Sequence, residues 1–304
     1  MKKFPKILII FTFSFILTII GIYSQKVDRE VYVGLYLINL GKFDISTGSF
    51  TADFYLAFEC ENSCPNLDFE FMNGRATSFE KLVDKPNLKS YRIQANLVSP
   101  IDLKKFPFDK QKLKIIIEDK NLPIEELVYI PKLNESGIDP SIIFIGWEIE
   151  DWSSYTEEHY YNVYDETYSQ YIFEIPIRRI TINSIFKTFL PIAFIMLIML
   201  SSFVLDPDKI TTRLTMAGSS LVASVMYHVS ITNQIPPVSY LTFVDKFMVL
   251  TYFITLLSFI FNVLILELHE EKKDKLVEKL HRCTEFTMFI VVPIIYVLLF
   301  VLFL

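Results

Sequence analysis

Four long apolar segments in the second half of the chain constrain its fold more than any other feature. They cover residues 185–205, 210–235, 244–266 and 286–304. A helix rises about 1.5 Å per residue, so about 20 apolar residues cross the ~30 Å hydrocarbon core of a bilayer. Four such segments in succession, with so few charges, disfavour helices buried in a soluble core. With 52% hydrophobic residues over 304 positions, the sequence predicts a membrane protein.

The first 24 residues have the layout of an export signal. Three lysines occur in MKKFPK, and the apolar stretch that follows, ILIIFTFSFILTIIGIYS, ends in small and polar residues near Ser24. This order is typical of a signal peptide that is cleaved at its polar end. An uncleaved anchor helix is the alternative. In both cases we expect residue 25 onward to be exported.

Basic residues predict the orientation of the four segments. Lys209 lies between the first and second segments and Arg213 at the start of the second, whereas the connection QIPPVSYLTF between the second and third has no basic residue. Five more lie in the predicted loop between the third and fourth segments: Lys272, Lys273, Lys275, Lys279 and Arg282. Basic connections stay in the cytoplasm, so we expect residues 25–180 on the opposite side of the cell membrane.

Residues 25–180 alternate between apolar and polar positions in short runs. Examples are VYVGLYLINL, TADFYLAFEC and QKLKIIIED, and turn residues such as those of ENSCPN and DKPN separate the runs. Many short strands without a helical pattern predict a β-sandwich. The predicted fold class is therefore a membrane protein with an extracellular β-sandwich domain at 25–180, followed by a four-helix transmembrane domain at 181–304.

Two cysteines of the exported part are close in sequence. Cys60 and Cys64 flank the residues ENS, and a disulfide survives in an exported domain. Two free thiols are the alternative. We find no Ser/His/Asp arrangement, metal-ligand cluster or phosphate loop in the sequence. We therefore predict no enzyme, no cofactor and no metal site, and the net charge of −6 without a basic stripe predicts no nucleic-acid partner.

The second apolar segment is more polar than the others. Polar groups that face lipid are costly, so its hydroxyls and amides are expected to face protein or water. Steps of four and three along a helix place six residues on one face. These candidate pore-lining residues are Thr215, Ser219, Val222, Met226, Val229 and Asn233. A packed polar seam inside a helix bundle is the alternative, and a single such helix encloses a pore only in an oligomer.

The order of these parts resembles the pentameric ligand-gated ion channels, the Cys-loop receptor superfamily. The resemblance depends on five motifs in sequence: FPFD at 106–109, GWEIEDW at 146–152, IRR at 177–179, FLP at 189–191 and QIPPVSYLTFVDKFMV at 234–249. Many members have cysteines that flank the FPFD turn. Ser99 and Leu113 stand there in this chain, so it is similar to bacterial members that lack that disulfide.

The resemblance implies how the two domains communicate. It implies a homopentamer in a bacterial inner membrane, with the FPFD turn in contact with the segment between the second and third helices. The residues then implied in gating are Asp44, Phe106, Pro107, Phe108, Asp109, Arg179, Pro236 and Pro237. Asp109 is expected to face Arg179, and the turn that contains Asp44 is expected to make a second contact.

The ligand site departs from the family pattern. The stretch between LAFEC and SYRIQANL is short and lacks the Trp-Pro-type motifs of family members with an agonist pocket. At the position of the capping hairpin, four tyrosines are candidates for stacking on a cationic ligand: Tyr160, Tyr161, Tyr164 and Tyr168. Plain strand formation is the alternative reading of these tyrosines. The effector, whether small molecule, proton or divalent cation, stays unidentified.

The predicted function is that of a subunit of a homopentameric ligand-gated ion channel in the lipid bilayer. Its acidic exported domain favours cation conduction, because an acidic surface concentrates cations near a pore. The alternative is a non-conducting, membrane-anchored sensor with the same architecture, for which the apolar middle of the predicted pore face leaves room.

Overall fold

The computed structural model describes residues 29–303, so the predicted signal peptide, residues 1–24, lies outside the described part. The described chain begins with strands and ends with helices. The strands are β1 (Glu30–Leu40), β2 (Ser49–Glu59), β3 (Phe69–Phe71), β4 (Gly74–Lys85), β5 (Leu88–Val98), β6 (Lys110–Asp119), β7 (Val128–Pro131), β8 (Gly137–Ile138), β9 (Trp147–Ile149), β10 (Ser153–Tyr161) and β11 (Glu166–Arg179).

The strands form two packed sheets. In one sheet the order is β4-β5-β2-β1-β7, with β8 also paired to β1; in the other it is β10-β11-β6-β3, with β9 paired to β11. The pairs β1–β7 and β1–β8 are parallel, and the remaining described pairs are antiparallel. The strands β10 and β11 form a hairpin whose second strand runs down to the helices.

Alternation of apolar side chains builds the core between the sheets. Every second residue of β2 from Phe50 to Phe58 is buried, and so are Leu113, Ile115 and Ile117 of β6. Successive side chains of a strand point to opposite faces, so each sheet presents one apolar face to the other. A sandwich with its core between the sheets follows from this pattern.

Four membrane-spanning candidates follow the sandwich. The helices are α1 (Thr181–Ser201), α2 (Ile210–Thr232), α3 (Phe243–Glu270), α4 (Asp274–Phe286) and α5 (Val292–Phe303), and a π-helical turn, Thr287–Val291, joins the last two into one span. The candidate spans have 20, 26, 28 and 30 residues, each long and apolar enough to cross a bilayer. The predicted fold class, a β-sandwich followed by four transmembrane helices, is confirmed.

The helix limits differ from the sequence prediction. α2 ends at Thr232 instead of 235, and α3 ends at Glu270 instead of 266. α1 covers Thr181–Ser201 instead of 185–205, so it begins two residues after β11 ends at Arg179. The basic segment before the fourth span is helical instead of a loop, because α4 already begins at Asp274. Val277 and Thr284 are its buried residues, and a Glu278–Arg282 ion pair at 2.5 Å lies along its surface. This i,i+4 spacing is one that supports an exposed helix.

Candidate functional site

A buried ion pair joins the turn before β6 to the end of β11. The Asp109 carboxylate is fully buried, and Arg179 donates to both of its oxygens, Nε to Oδ1 at 2.7 Å and Nη2 to Oδ2 at 3.1 Å. Gln111 donates a third hydrogen bond, from Nε2 to Oδ2 at 2.8 Å. A bidentate pair fixes direction as well as distance. The structure thus brings Asp109 and Arg179 together at the junction of the sandwich and the helices.

Two aromatic rings enclose the other faces of the same guanidinium. The Arg179 Cζ lies 4.5 Å from the centroid of the Trp147 ring and 5.2 Å from that of Phe106. Trp147 reaches this place because β9 pairs with β11 in a register that sets Trp147 beside Arg179. Such cation–π contacts are attractive and strengthen when the cation is desolvated. Sequence reasoning missed Trp147 and Gln111, although GWEIEDW was among the quoted motifs.

Phe108 of the FPFD turn contacts three different helices. Its ring stacks on Phe189 of α1 with centroids 5.8 Å apart, and it meets Phe243 of α3 and Phe300 of α5 edge-on at 5.8 and 6.3 Å. The turn is also tied to α3 through its backbone, since Val244 N donates to the Phe106 carbonyl at 3.3 Å. The aromatic tip of the turn is therefore seated in the helix bundle.

The expected contact of this turn with Pro236 and Pro237 stays a prediction. The loop that leads into the turn does contact the segment between α2 and α3, because the Leu103 amide donates to the Tyr240 hydroxyl at 2.9 Å. Phe106 and Pro107 line a cavity of about 270 Å³ together with Gln234 and Lys187, whereas Pro236 and Pro237 line a separate one of about 850 Å³ with Ser46 and Thr47. The two prolines thus share a cavity with the turn that follows Asp44.

Asp44 stabilises its own turn. Its Oδ1 accepts hydrogen bonds from the Ser46 amide at 2.8 Å and from the Ser46 hydroxyl at 2.6 Å. These hydrogen bonds to Ser46 lower the pKa of the Asp44 carboxyl, so it is ionised at neutral pH. Its backbone pairs with Ser49 across the same turn. Asp44 therefore shapes the turn, and Ser46 and Thr47 line the same cavity as Pro236 and Pro237.

α2 has one exposed face and one buried face. All six predicted pore-lining residues are exposed in the isolated chain, and Val222, Met226 and Val229 are exposed by 63%, 66% and 52%. The buried residues of α2 lie on its other face: Arg213, Ala217, Ser220, Ser224 and Ile231. The exposed face begins with hydroxyls at Thr215 and Ser219, continues with three apolar side chains and ends at the amide of Asn233.

Polar contacts fasten the covered side of α2 to its neighbours. His228 Nδ1 lies 2.7 Å from the Tyr252 hydroxyl, and its Nε2 lies 3.0 Å from Asp245 Oδ1. Asp245 also completes a capping box with Thr242 at the start of α3. His228 therefore packs between helices beside the predicted pore face. At the other end of α2, Arg213 is fully buried over the Phe203 ring, 5.5 Å from its centroid.

Three of the four candidate tyrosines form a cluster on the β10–β11 hairpin. The Tyr161 ring lies 5.5 Å from Tyr168 and 6.4 Å from Tyr164, whereas Tyr160 donates a hydrogen bond to Asp165. Burial and the hydrogen bond to Glu118 raise the pKa of Tyr161, and a hydrogen bond to Glu166 raises the pKa of Tyr168 to about 12. Both hydroxyls are therefore neutral donors at physiological pH.

A buried carboxylate, missed by sequence reasoning, lies beneath this cluster. Glu118 accepts hydrogen bonds from Tyr161 at 2.7 Å and Gln170 at 2.8 Å, and lies 2.9 Å from His159 Nδ1. The residues come from β6, β10 and β11, which are neighbours in one sheet. The alternation of QKLKIIIED predicted strand β6. It did not predict which strands lie beside β6 and supply the partners of Glu118.

Within the described part of the chain, two cysteines are joined by a disulfide and no metal site is found. Cys60 and Cys64 form a disulfide with Cα atoms 5.3 Å apart. Among residues 29–303, no group of three or more histidine, cysteine, aspartate or glutamate side chains is arranged to hold a metal ion.

Comparison with known proteins gives distant relatives of one kind. The proton-gated ion channel of Gloeobacter violaceus is 23% identical over 161 residues, which are 53% of this chain and 44% of the relative. The neuronal acetylcholine receptor subunit alpha-6 of Rattus norvegicus is 25% identical over 173 residues, 56% of this chain and 34% of that subunit. The corresponding subunit of Gallus gallus is 26% identical over 176 residues, with the same coverages.

The matched region spans less than half the length of each of these relatives. No protein-family model matches the chain. The relatives are channel and receptor subunits, not enzymes, and they belong to the family that the sequence motifs resemble, so that resemblance is confirmed. Together with the four candidate spans, they make this chain a multi-pass membrane protein.

Proposed function

We propose that this chain, which is related to the pentameric ligand-gated ion channels, is a subunit of a homopentameric channel whose five α2 helices line the pore. The observation that carries the proposal is the exposed face of α2. Its hydroxyls would face lipid in a single subunit, which is costly in a bilayer. A ring of subunits places the same face on water and removes that cost.

The exposed face has the order of groups that a gated pore needs. Thr215 and Ser219 offer hydroxyl oxygens that replace part of the hydration shell of an ion. Val222, Met226 and Val229 form an apolar length that closes by dewetting when the helices approach. The proposed gate is therefore the apolar middle of α2, with polar rings at both ends.

Cation conduction is the proposed selectivity. The exported domain, residues 25–180, contains 26 acidic and 17 basic residues, so its surface concentrates cations. Arg213 lies near the cytoplasmic end of the pore face, but it is fully buried on the opposite side of α2. Its charge therefore does not line the pore, and the exposed residues next to it are Thr211 and Thr212.

We propose that the signal passes through the FPFD turn. The ion pair of Asp109 with Arg179 links this turn to β11, and β11 continues directly into α1. Phe108 transmits the position of the turn to α1, α3 and α5. A twist of the sandwich then moves the helices that hold α2, so the extracellular site and the pore share one two-state element.

The proposed effector site is the hairpin cluster of Tyr161, Tyr164 and Tyr168 above Glu118. Aromatic faces and a buried carboxylate favour a cationic ligand, such as a small amine. The cluster faces away from the sandwich core, since the intervening residues Ser169 and Tyr171 of β11 are the buried ones. A ligand therefore has access from outside the domain.

The experiment that tests the proposal is a current measurement on the purified chain in planar bilayers. A salt gradient, a pH series and the presence or absence of divalent cations and small amines are the conditions to compare. A current whose reversal potential follows the cation gradient is the expected result. No current under all conditions supports the sensor alternative.

A serine substitution in the gate distinguishes a closed pore from no pore. In Val222→Ser, a hydroxyl at the apolar constriction favours its hydration, and we expect a larger resting current. Val301→Ser makes the same chemical change at a residue of α5 that is 75% exposed, and it serves as the matched control without effect on current. Silence in both variants would contradict the channel proposal.

A further inference from the structure

The loop before β9 carries two of the most exposed isoleucines among the described residues. Ile143 is 85% and Ile145 is 91% exposed, whereas Phe144 between them is only 7% exposed and belongs to the sandwich core. The stretch SIIFIGW, residues 141–147, has no charged residue. Large apolar side chains that are nearly fully exposed at alternate positions mark a surface that meets an apolar environment.

The backbone holds these two side chains outward. Phe144 anchors the loop in the core, and the amide of Asp139 donates to the Leu37 carbonyl at 2.9 Å. Asp139 Oδ1 accepts from the Ser141 amide at 2.9 Å and from its hydroxyl at 2.6 Å. Gly146 ends the loop with φ +86°, a conformation that favours glycine. The exposed positions thus follow from a fixed loop.

The loop lies at the level at which the chain enters the membrane. The Ile180 amide donates to the Gly146 carbonyl at 3.3 Å, and Trp147 pairs with Arg179. The first candidate span begins at Ile182, two residues after Ile180. At 1.5 Å per helical residue, this is about 3 Å of rise. Ile145, adjacent to Gly146, is therefore close to the plane of the bilayer surface.

The first turns of α1 expose both polar and apolar side chains, and Asn183, Ser184 and Lys187 share a cavity with Gly146 of the loop. Ile182 and Phe186 of α1 are 68% and 60% exposed, in the first turns of the span. The loop also borders a cavity of about 490 Å³, which Phe43 and Trp147 help to line. Apolar side chains that lie at a membrane interface bury several ångströms into the boundary between headgroups and acyl chains.

We propose that Ile143 and Ile145 insert into the outer leaflet of the bilayer, so that the loop at 141–146 anchors the sandwich to the lipid surface. The partner is the apolar zone of the lipid itself, with no specific headgroup. The proposal depends on membrane insertion of α1 and not on ion conduction. Failure of the current measurement therefore leaves it standing.

Fluorescence quenching tests the proposal in the full-length protein. In a Cys283→Ser background, Ile145→Cys is labelled with an environment-sensitive fluorophore and reconstituted into phosphatidylcholine vesicles. Quenching by nitroxide on the lipid acyl chain is compared with quenching by aqueous iodide. Phe186→Cys is the control on the spanning helix. Val163→Cys, 86% exposed in the hairpin turn at the opposite end of β11, is the control in water.

We expect the label at Ile145 to lose fluorescence with nitroxide lipid as the Phe186 control does, and to be quenched several-fold less by iodide than the Val163 control. Iodide quenching equal to that at Val163, without an effect of nitroxide lipid, would place the loop in water and overturn the proposal. Protection from both quenchers would overturn it as well, because another copy of the chain would then cover the loop. Ile143→Cys repeats the measurement independently.

Discussion

Two adjacent arginines at the end of β11 form ion pairs that differ in burial. Comparing them measures how burial changes the contribution of an ion pair to stability. Arg179 pairs with Asp109, whose carboxylate is fully buried, whereas Arg178 pairs with Glu148 at 2.5 Å in a contact where both side chains are about half exposed. The substitutions Asp109→Asn and Glu148→Gln each remove one charge from one of these pairs. The two variants thus differ mainly in the burial of the contact.

The expected loss of folding stability in each variant follows from the solvent exposure of its ion pair. Removal of one partner from a buried pair costs about 3–5 kcal/mol, because the remaining charge is left uncompensated. The Arg179 side chain is 18% exposed, so we expect the lower end, about 3 kcal/mol. An exposed pair contributes at most about 1 kcal/mol. For a domain of this size, the midpoint falls by about 2–4 °C per kcal/mol, which gives about 6–12 °C for Asp109→Asn.

Intrinsic fluorescence is the suitable assay, since both tryptophans of the chain, Trp147 and Trp152, lie in the sandwich. Thermal unfolding of the purified protein in detergent, monitored by tryptophan emission, then reports on that domain. Glu148→Gln provides the matched control, with an expected shift of at most about 2–4 °C. Equal shifts in the two variants would refute the reasoning that the buried pair stabilises the junction.

Three further predictions concern gating and pH. Asp109→Ala should leave the proposed pentamers intact, as measured by native mass spectrometry, and weaken the current response. Pentamers that gate with unchanged sensitivity would remove Asp109 from the proposed coupling path. Phe108→Ala removes three ring contacts of about 0.5–1.5 kcal/mol each with the helices, so sensitivity to the effector should fall while the sandwich melts almost as before. Burial alone raises the pKa of Glu174, but Lys112, Lys114 and Tyr155 outweigh it and lower that pKa below 4.5. The ionised form is thus favoured in the folded state, and its stabilisation is present above pH 4.5 and lost as the pH falls further. The melting difference between wild type and Glu174→Gln should therefore close on acidification, and a constant difference would contradict this assignment.

The architecture was predictable because its signals are periodic. Alternation over β2 and β6 predicts strands with one buried face, and the long apolar runs predict spans without knowledge of their partners. The exposed face of α2 is a case of the same kind. Steps of four and three select Thr215, Ser219 and Val222, and these positions fall opposite the buried Ala217, Ser220 and Ser224.

Contacts between distant segments were less predictable. The partner of Phe108 depends on how four helices converge, and no local pattern sets Phe300 beside residues of α1 and α3. The helical start of α4 was missed for a different reason. Its charged residues suggested a cytoplasmic loop, but a loop and an amphipathic helix share the same composition and differ only in which residues are buried, here Val277 and Thr284.

Strand periodicity explains why Arg179, and not Arg178, pairs with Asp109. Neighbouring residues of a strand point to opposite faces, so Arg178 and Arg179 cannot both meet the carboxylate of Asp109. Ile177 is buried in the core, and the chain turns into α1 immediately after Arg179. The last residue of the strand is therefore the one that reaches under the sandwich towards the FPFD turn. Its partner had to be buried there as well, because the aromatic rings of Trp147 and Phe106 close the remaining sides of the guanidinium. The strength of the junction thus follows from the position at which β11 ends.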